Sequence, residues 1–354
     1  MPDITISQAL GKYTSKIEAV YRERIKPTGY LRSKFPSKVT TTKLVSIMVQ
    51  RGFEKIAVDA ARGTEGSRNK WTLSTQKIFE PLYFRENFDL TQLQLYDNLF
   101  SEQNLENAPM IAALINSIVE NQIEQQEKIE RAIEVMCAQV LMTGVIQMSS
   151  QGTGITIDYR RKAASLVDPG AGQYFANNID PFAQAQADAT FLRQSGKTMN
   201  MTFDWIMGET AIANLFSNTQ FTSRQNLFHM LLDGIVPSEA NETTGAVYHG
   251  WISAGPYRVN LWSYPQYYDD PITGIQTPYI DTKKAVMLPT TPNFFTFFGA
   301  VPQVVMPGAK PTIGEFVQTS WLDAPNRAYL YEVESCPIPV PVAIDQMVTR
   351  KCAP

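Results

Sequence analysis

The chain has 354 residues, of which 44% are hydrophobic and 18% charged, and its formal net charge is −3. This length allows two domains with a sizeable core, and the small negative charge excludes a global basic field for nucleic acid. The three cysteines, Cys137, Cys336 and Cys352, are isolated and odd in number, which argues against a disulfide framework and is typical of a reducing compartment. The sequence lacks a signal-peptide pattern and an apolar run of membrane-spanning length, so we expect neither secretion nor membrane insertion.

The N-terminal 41 residues divide into a helical and an extended part. Residues 5–24 predict a short amphipathic helix, because apolar side chains share one face: Ala9, Leu10, Tyr13, Ile17, Val20 and Tyr21. Pro27 and Gly29 end that pattern. Residues 27–41 carry two prolines and no helical period, which predicts an extended arm that lies on another surface.

Residues 43–80 predict a long β-hairpin. Two runs typical of strands flank residues 61–70, which contain two glycines and the basic residues Arg62, Arg68 and Lys70. A two-stranded ribbon is marginally stable in water by itself. The hairpin therefore needs a surface to lie on, either in its own chain or in a neighbour.

The longest predicted element is a helix between Asn107 and Gly144. Asn107 can cap its start, Pro109 suits its first turn, and Gly144 suits a left-handed residue at its end. The helix would be roughly 50 Å long at ~1.5 Å per residue. Its ends carry apolar residues at helical spacing, whereas residues 120–128 are almost all polar. Such a helix is not buried all round by its own chain, so it spans something or is covered by neighbours.

The remaining chain alternates short elements and predicts an α+β fold. Residues 89–100 predict a short helix, and a hairpin follows around Gln151–Thr153. Asp180 and Pro181 begin a second helix, a strand covers residues 201–207, and two short helices follow, the second ending at Gly234. Aromatic-rich strands occupy residues 246–288. Two final strands are joined by an extended segment, Pro337–Pro341.

The sequence contains no clear set of catalytic groups. His229 and His249 have no Cys or carboxylate at metal-ligand spacing. Ser195–Thr198 is similar to the end of a phosphate loop, but Phe191 stands where its first glycine belongs. Asp269 and Asp270 lie in a predicted turn. We therefore expect no catalytic, cofactor-binding or metal residues and a structural role; a hydrolase using Asp269, Asp270 or His249 is the alternative from another class.

The order of elements and several short motifs resemble the phage lambda-type major capsid protein family, the E protein family. The most specific motifs are the tyrosine-rich stretch from Tyr257 to Tyr268 and the segment Ser335–Pro341. The weaker ones are Val58-Asp59, Phe79-Glu80-Pro81, Gly144-Val145 and Ile157-Asp158-Tyr159. Together, in this order, they cover nearly the whole chain.

The resemblance implies the tailed-phage major capsid protein fold, of class α+β. It implies an N-terminal arm at residues 1–41 and an extended hairpin loop at 42–82. A peripheral domain would comprise residues 83–194 and 326–354, with a spine helix at 108–143. Residues 195–325 would form an axial domain.

The resemblance also implies a function. The subunits would assemble as hexamers and pentamers into an icosahedral shell enclosing double-stranded DNA, without sequence-specific contacts. A scaffolding protein, a portal and a decoration protein are the implied partners, with assembly in the host cytoplasm and a final place in the virion. The candidate inter-subunit contacts are Arg62, Arg68, Lys70, Trp71, Asp269 and Asp270. Although Lys55 and Lys70 are available, we expect no covalent crosslink. An encapsulin-like compartment on the same fold is the alternative.

Overall fold

The computed structural model describes residues 26–42, 44–49, 75–91, 108–148, 155–177, 179–227, 244–271, 273–301, 312–323 and 328–354. The α-helices of these segments are α1 Tyr30–Ser33, α2 Ala108–Thr143, α3 Pro181–Gln194, α4 Glu209–Ser217 and α5 Thr219–Leu227. The α+β class that the sequence predicts is confirmed, because the helices pack against several small sheets rather than alternating with one parallel sheet.

The largest sheet has six strands in the order β7 (Leu166–Val167), β18 (Val348–Lys351), β13 (Lys284–Pro289), β8 (Thr202–Met207), β10 (Tyr257–Ser263) and β9 (Val247–Ala254). One three-stranded sheet has the order β1 (Ser37–Val39), β14 (Phe294–Phe298) and β17 (Pro337–Pro341). The other has the order β15 (Val317–Asp323), β16 (Ala328–Ser335) and β4 (Phe84–Thr91). Three strand pairs complete the set: β2 (Val45–Val49) with β3 (Thr75–Phe79), β5 (Val145–Met148) with β6 (Ile155–Asp158), and β11 (Tyr267–Asp269) with β12 (Gln276–Pro278).

Helix α2 confirms the predicted long helix and ends where Gly144 adopts a left-handed conformation with φ +77°. Its second half lies in the main core, where Ile133, Met136 and Val140 are fully buried. The polar middle is more covered than the sequence predicts, since Gln125 and Glu127 are only 4% and 8% exposed. The chain therefore covers part of this stretch without a neighbour.

The six-stranded sheet carries a second core on one of its faces. Helices α3 and α4 pack there against residues such as Trp205, Leu261 and Met287, which are fully or almost fully buried. Helix α3 begins as predicted: the Asp180 carboxylate accepts a hydrogen bond from the backbone N–H of Phe182, and a proline occupies the first turn. Several other predicted elements are also confirmed, namely the β5–β6 hairpin and the strands β8, β9, β10 and β13.

The arm segment, residues 26–42, differs from the predicted extended arm. It contains the helical turn α1, and strand β1 pairs in parallel with β14 of its own chain. Leu31 and Phe35 are fully buried in the main core, and the Phe35 and Phe294 rings stack with centroids 5.1 Å apart. Gly29, with φ +63°, turns the chain into α1. Tyr30, Leu31 and Phe35 thus belong to the subunit core, whereas residues 36–39 are exposed, and the predicted helix at 5–24 lies outside the described residues.

Two strands occupy stretches predicted differently. Residues 84–91 form β4, so the short helix expected at 89–100 is wrong for residues 89–91; the rest of it lies outside the described residues. The segment Pro337–Pro341, expected to be only a connector, is strand β17 at the edge of its sheet. Its prolines alternate with Ile338 and Val340, so the missing N–H groups all lie on the side away from β14. Consistently, the carbonyl of Pro339 on that side accepts a hydrogen bond of 2.7 Å from the Tyr159 hydroxyl.

Sheet membership crosses the domain limits that the resemblance implies. Strands β7 and β18 lie outside residues 195–325, yet they pair within the six-stranded sheet. Conversely, β14 and β15 lie inside that range but pair with strands from 328–341. Pairing between strands so far apart in the sequence leaves no trace in local sequence patterns. Sheet membership therefore does not define the domain limits, which stay a prediction.

Candidate functional site

Glu134 on α2 joins three parts of the subunit at one point. Its carboxylate accepts hydrogen bonds from the backbone N–H groups of Leu31 and Arg32 at 2.7 and 2.8 Å, and from the Tyr264 hydroxyl at 2.8 Å. The Thr28 side chain hydrogen-bonds the same tyrosine hydroxyl. The arm segment, the long helix and the chain leaving β10 therefore meet at one side chain, which we call the Glu134 junction: Thr28, Leu31, Arg32, Glu134 and Tyr264.

The electrostatics of the Glu134 junction follow from its burial. Glu134 is 1% exposed, and loss of water raises the pKa of its carboxyl, an effect only partly opposed by the hydrogen bonds from Leu31 and Arg32. Burial and the neighbouring carboxylate also raise the pKa of Tyr264, which keeps the hydroxyl protonated as a donor. Hydrogen bonds to a carboxylate are charge-assisted and therefore strong, but removing that carboxylate from water costs free energy. The Glu134 junction combines both effects.

A second polar contact attaches the arm segment to the six-stranded sheet. Lys34 Nζ lies 2.7 Å from the Asp204 carboxylate of β8, and both side chains are largely buried. The amide of Asn260 donates to the other oxygen of Asp204 at 2.8 Å. The arm segment is thus fixed to both the long helix and the sheet.

The base of the predicted long hairpin is confirmed as the antiparallel pair β2–β3, in register from Val45↔Phe79 to Val49↔Thr75. Val45 is buried, and the Phe79 ring lies 5.1 Å from that of Tyr159. Ile78 on the same pair is 61% exposed. The hairpin therefore starts from the subunit core. Four candidate contact residues of this hairpin lie outside the described residues: Arg62, Arg68, Lys70 and Trp71.

The other two candidate contacts lie on a small two-stranded ribbon, β11–β12, residues 267–278. Asp269 is exposed on β11, and Asp270 begins the turn, where Oδ2 accepts from the Thr273 hydroxyl at 2.9 Å. Ile275 is 64% exposed and Tyr267 44% exposed on the same ribbon. The exposed apolar and acidic groups make this ribbon a candidate contact surface.

A groove separates the ribbon from the long helix. It has a cavity volume of about 350 Å³ and is lined by Val135, Ala138 and Met142 of α2 and by Tyr268, Pro278 and Tyr279 from the ribbon side. The other half of the lining is polar: Gln139, Thr143, Thr277, Asp281, Thr282 and Lys284. The apolar side chains of the helix in this groove are already almost fully buried.

Catalytic geometry is not evident in the part of the chain that the structure describes. No cluster of three or more potential metal ligands occurs among those residues. The His249 ring shares a 2.7 Å hydrogen bond with Ser263, and burial lowers the pKa of that imidazole. Ser195–Thr198 follows helix α3, not a strand. In the described segments no helix is long and apolar enough to cross a membrane.

Sequence analysis missed the residues that hold these elements together. Glu134 interrupts the apolar run Ile133–Val140, and a lone carboxylate among buried positions is a signal that could have identified it. Asp188 of α3 and Arg350 of β18 form a buried two-bond ion pair, and nothing local in either stretch indicates the other. Only the fold brings such pairs together.

Comparisons with known proteins agree with these observations. The family model described as phage major capsid protein E matches residues 14–351. No curated protein sequence matches the chain.

Solved structures similar to this chain cover nearly all of it. The crystal structure of the proposed capsid protein of an E. coli CFT073 prophage has a TM-score of 0.60 and 16% identity, over 98% of this chain and 99% of its own. The capsid structure of Cyanophage P-SCSP1u gives 0.52 and 11%, over 94% and 90%. A phage-related protein of Bordetella bronchiseptica RB50 gives 0.51 and 10%, over 97% of both chains. At such identities the likeness shows the fold alone.

Proposed function

The chain belongs to the phage major capsid protein E family, and from this premise we propose how its copies build a phage head. The protein is a structural subunit, the major capsid protein of a tailed phage, with the fold of that class. Its copies assemble as hexamers and pentamers into an icosahedral shell that encloses the double-stranded DNA genome. The family match over residues 14–351 carries this conclusion.

The described residues support a subunit in which a packed body carries parts that project from it and contact neighbouring subunits. The Glu134 junction holds the arm segment against α2, and the base of the hairpin begins at buried Val45. The ribbon β11–β12 presents exposed Tyr267 and Ile275. A subunit built in this way can place its projecting parts on neighbours without distorting its cores, and interfaces between identical subunits need such separate complementary patches.

The partners of the shell follow as proposals. A scaffolding protein and a portal take part in assembly in the host cytoplasm, and a decoration protein is a further partner. The net charge of −3 fits a wall that encloses DNA without gripping it, because strong phosphate binding needs clustered Lys and Arg. The subunit catalyses no reaction and uses no cofactor.

The domain limits and the contact residues are also proposals. We propose an arm at 1–41, an extended loop at 42–82, an axial domain at 195–325 and a peripheral domain from the remainder. We also propose that Arg62, Arg68, Lys70, Trp71, Asp269 and Asp270 contact neighbouring subunits.

Two alternatives are less well supported. An encapsulin-like compartment shares the fold class, but the family match is to a phage capsid family. A hydrolase using Asp269, Asp270 or His249 lacks a matching geometry, since His249 hydrogen-bonds Ser263 within the six-stranded sheet while Asp269 lies on the exposed ribbon.

The proposal is tested by electron microscopy of the protein, expressed alone and with its phage neighbours, after size-exclusion chromatography. We expect closed shells or sheets of hexamers. A stable monomer or dimer that does not assemble even with a scaffold would overturn the proposal. Intact subunits on a denaturing gel of mature particles are also expected, and a ladder of covalent multimers would contradict the absence of a crosslink.

Deletions test the projecting parts. Removing the tip, residues 62–70, or the first 25 residues should abolish normal shells while the subunit stays folded by circular dichroism. A deletion to residue 40 does not make this test, because Leu31 and Phe35 belong to the core. Normal particles from either deletion would count against a role of that part in assembly.

A further inference from the structure

Part of the six-stranded sheet is open on the face away from the second core, at its edge strand β9. Trp251 of β9 is 47% exposed, and the guanidinium of Arg258 on β10 lies 4.7 Å from the centroid of its ring. Both residues alternate with Ile252 and Val259, which lie in the second core, so they belong to the opposite face of the sheet. Tryptophan and arginine are enriched where proteins bind each other most strongly. We call this surface the Trp251 face: Trp251, Ser253 and Arg258.

Arg258 carries a charge that its own subunit does not pair. In the part of the chain that the structure describes, its guanidinium stacks on Trp251 and has no carboxylate within ion-pair distance. The Asp204 carboxylate on the same face of the sheet is already bound by Lys34 and Asn260. A guanidinium stacked on a ring keeps N–H donors free for a carboxylate that comes from outside the subunit.

The ribbon β11–β12 has the complementary composition. The Asp269 carboxylate is exposed, and among the described residues no cationic group pairs with it. Ile275 precedes Gln276, the strand partner of Asp269, and is 64% exposed. The ribbon therefore presents a carboxylate beside an apolar side chain, whereas the Trp251 face presents an arginine beside an aromatic ring. Such matched charges and apolar areas are what two binding surfaces need.

The Trp251 face and the ribbon lie at opposite ends of the same sheet. Arg258 is near the start of β10, and Ser263 at its end is roughly 17 Å further along the strand. Strand β8 runs parallel to β10 and ends beside Ser263. The ribbon lies beyond this end, because the Tyr267 hydroxyl donates at 3.0 Å to the carboxylate of Glu209, two residues after β8. The two surfaces of one chain are thus kept apart, whereas those of two copies can meet.

Resting on the proposed function, in which copies of this chain assemble, we propose that the Trp251 face of one copy binds the ribbon of the next copy. Arg258 pairs with Asp269 of the neighbouring copy, and Trp251 covers Ile275. The contact joins two different surfaces of identical subunits, so it repeats head to tail and forms a ring where the rotation between copies closes. The ion pair fixes the orientation of the neighbours, and the tryptophan supplies the apolar contact area.

Exchange of the two charges in the full-length protein tests the proposal. Arg258→Asp and Asp269→Lys should each reduce the yield of shells at least several-fold in electron microscopy and light scattering, because each substitution brings like charges together. The double variant Arg258→Asp/Asp269→Lys again has opposite charges at the contact. Its yield should therefore exceed that of either single variant at least several-fold.

Arg258→Asp/Asp89→Lys is the matched control. It has the same net charge as the exchanged variant, but its new lysine lies at an exposed position of β4 in another sheet. It should assemble as poorly as Arg258→Asp alone. Circular dichroism and urea midpoints of the unassembled subunits show whether each variant is folded.

A crosslink gives the decision if a charge-reversed variant misfolds. In Arg258→Cys/Asp269→Cys, a short bismaleimide reagent should join the two introduced thiols between chains and produce multimers on a denaturing gel. Each single cysteine variant should give none. The native cysteines are buried, which limits competing reactions.

Each outcome decides between the proposal and its alternatives. Recovery of shells in the charge-exchanged variant but not in the Asp89→Lys control supports the proposal. Normal shells from Arg258→Asp, equal recovery in the control, or no recovery in either double variant while the wild type assembles overturns this inference and leaves the proposed function intact. In the crosslinking experiment, the absence of multimers specific to the double cysteine variant overturns it. A wild-type chain that forms no shells even with a scaffold overturns the proposed function and this inference together.

Discussion

Glu134 shows how one residue can organise distant parts of this chain. The side chain lies a hundred residues beyond the arm segment and 130 before Tyr264, yet it satisfies two backbone donors and one hydroxyl. Each of these donors is buried or largely buried, so none has water as an easy substitute. The carboxylate is therefore worth more to the fold than a surface residue of α2.

Replacing Glu134 with alanine should lower the free energy of unfolding by about 3 kcal/mol or more, because three donors lose their acceptor in a buried place. Urea denaturation of the unassembled subunit measures this change. Glu120→Ala on the exposed side of the same helix is the control and should change stability by less than about 0.5 kcal/mol. Equal effects of both substitutions would show that the junction contributes nothing beyond helix propensity.

The raised pKa of Glu134 predicts a pH dependence of stability. A carboxyl with a folded-state pKa above its unfolded value binds more protons when folded, so its contribution is complete below the unfolded pKa and is lost as pH rises through the folded value. The free energy of unfolding of the wild type, relative to that of Glu134→Gln, should therefore fall as pH rises from the unfolded-state pKa through the folded-state pKa of Glu134. Urea midpoints of both proteins across this window give the difference. A difference that is constant or rises with pH would contradict the prediction.

At the scale of elements, the C-terminal end of α2 depends on a glycine that the sequence reveals. Gly144 follows the helix with φ +77°, and its N–H bonds the carbonyl of Val140 at 2.9 Å. Arg161 closes this end by donating to the carbonyl of Leu141 at 2.7 Å. A Cβ on residue 144 would lie 2.8 Å from that of Arg161. One residue, which must be glycine, thus both ends helix α2 and lets the β5–β6 hairpin begin.

Gly144→Ala should destabilise the subunit by about 2 kcal/mol, from the left-handed backbone plus the contact with Arg161. Gly170→Ala is a matched control, because Gly170 has φ +81° but nothing within 4 Å of an added Cβ. It should cost about 1 kcal/mol, the backbone part alone. Thermal or urea unfolding measures both. If Gly170→Ala costs as much as Gly144→Ala, the close approach of Arg161 has no energetic weight.

The elements that sequence analysis missed share a physical cause. Strand β17 contains three prolines, which local rules exclude from a sheet interior, and only its edge position with Ile338 and Val340 facing β14 permits pairing. Strand β4 alternates Phe84, Phe88 and Leu90 with polar residues, but its pairing partner β16 lies more than two hundred residues away. A local sequence pattern can indicate that a segment favours a strand. Whether the strand forms depends on a pairing partner that is distant in the sequence.

At the scale of the whole molecule, function depends on surfaces that the single subunit leaves exposed. The ribbon carries Asp269, an exposed carboxylate beside exposed Ile275 and Tyr267. Exposed apolar side chains next to charge are typical of contacts between subunits. The ribbon is accordingly a surface on which a substitution should affect assembly more than folding.

Asp269→Lys should reduce the yield of shells at least several-fold and leave the unfolding midpoint of the unassembled subunit nearly unchanged, because a reversed charge at a contact opposes association. Electron microscopy and light scattering of purified material measure assembly. Asp89→Lys, the same charge change at an exposed position of β4, is the control. Normal shells from Asp269→Lys would remove Asp269 from the candidate contacts.

The sequence by itself determined the family, the α+β class, the long helix with its glycine end, the base of the hairpin and the capped start of α3. These features rest on local periodicity, capping and turn residues, and on motifs in a fixed order. Only the tertiary structure decided that Leu31 and Phe35 of the arm segment belong to the core, that β17 is a strand, and that Glu134, Asp188 and Arg350 connect distant segments. The reason is that burial and pairing depend on residues far apart in the chain, whereas sequence patterns report neighbours.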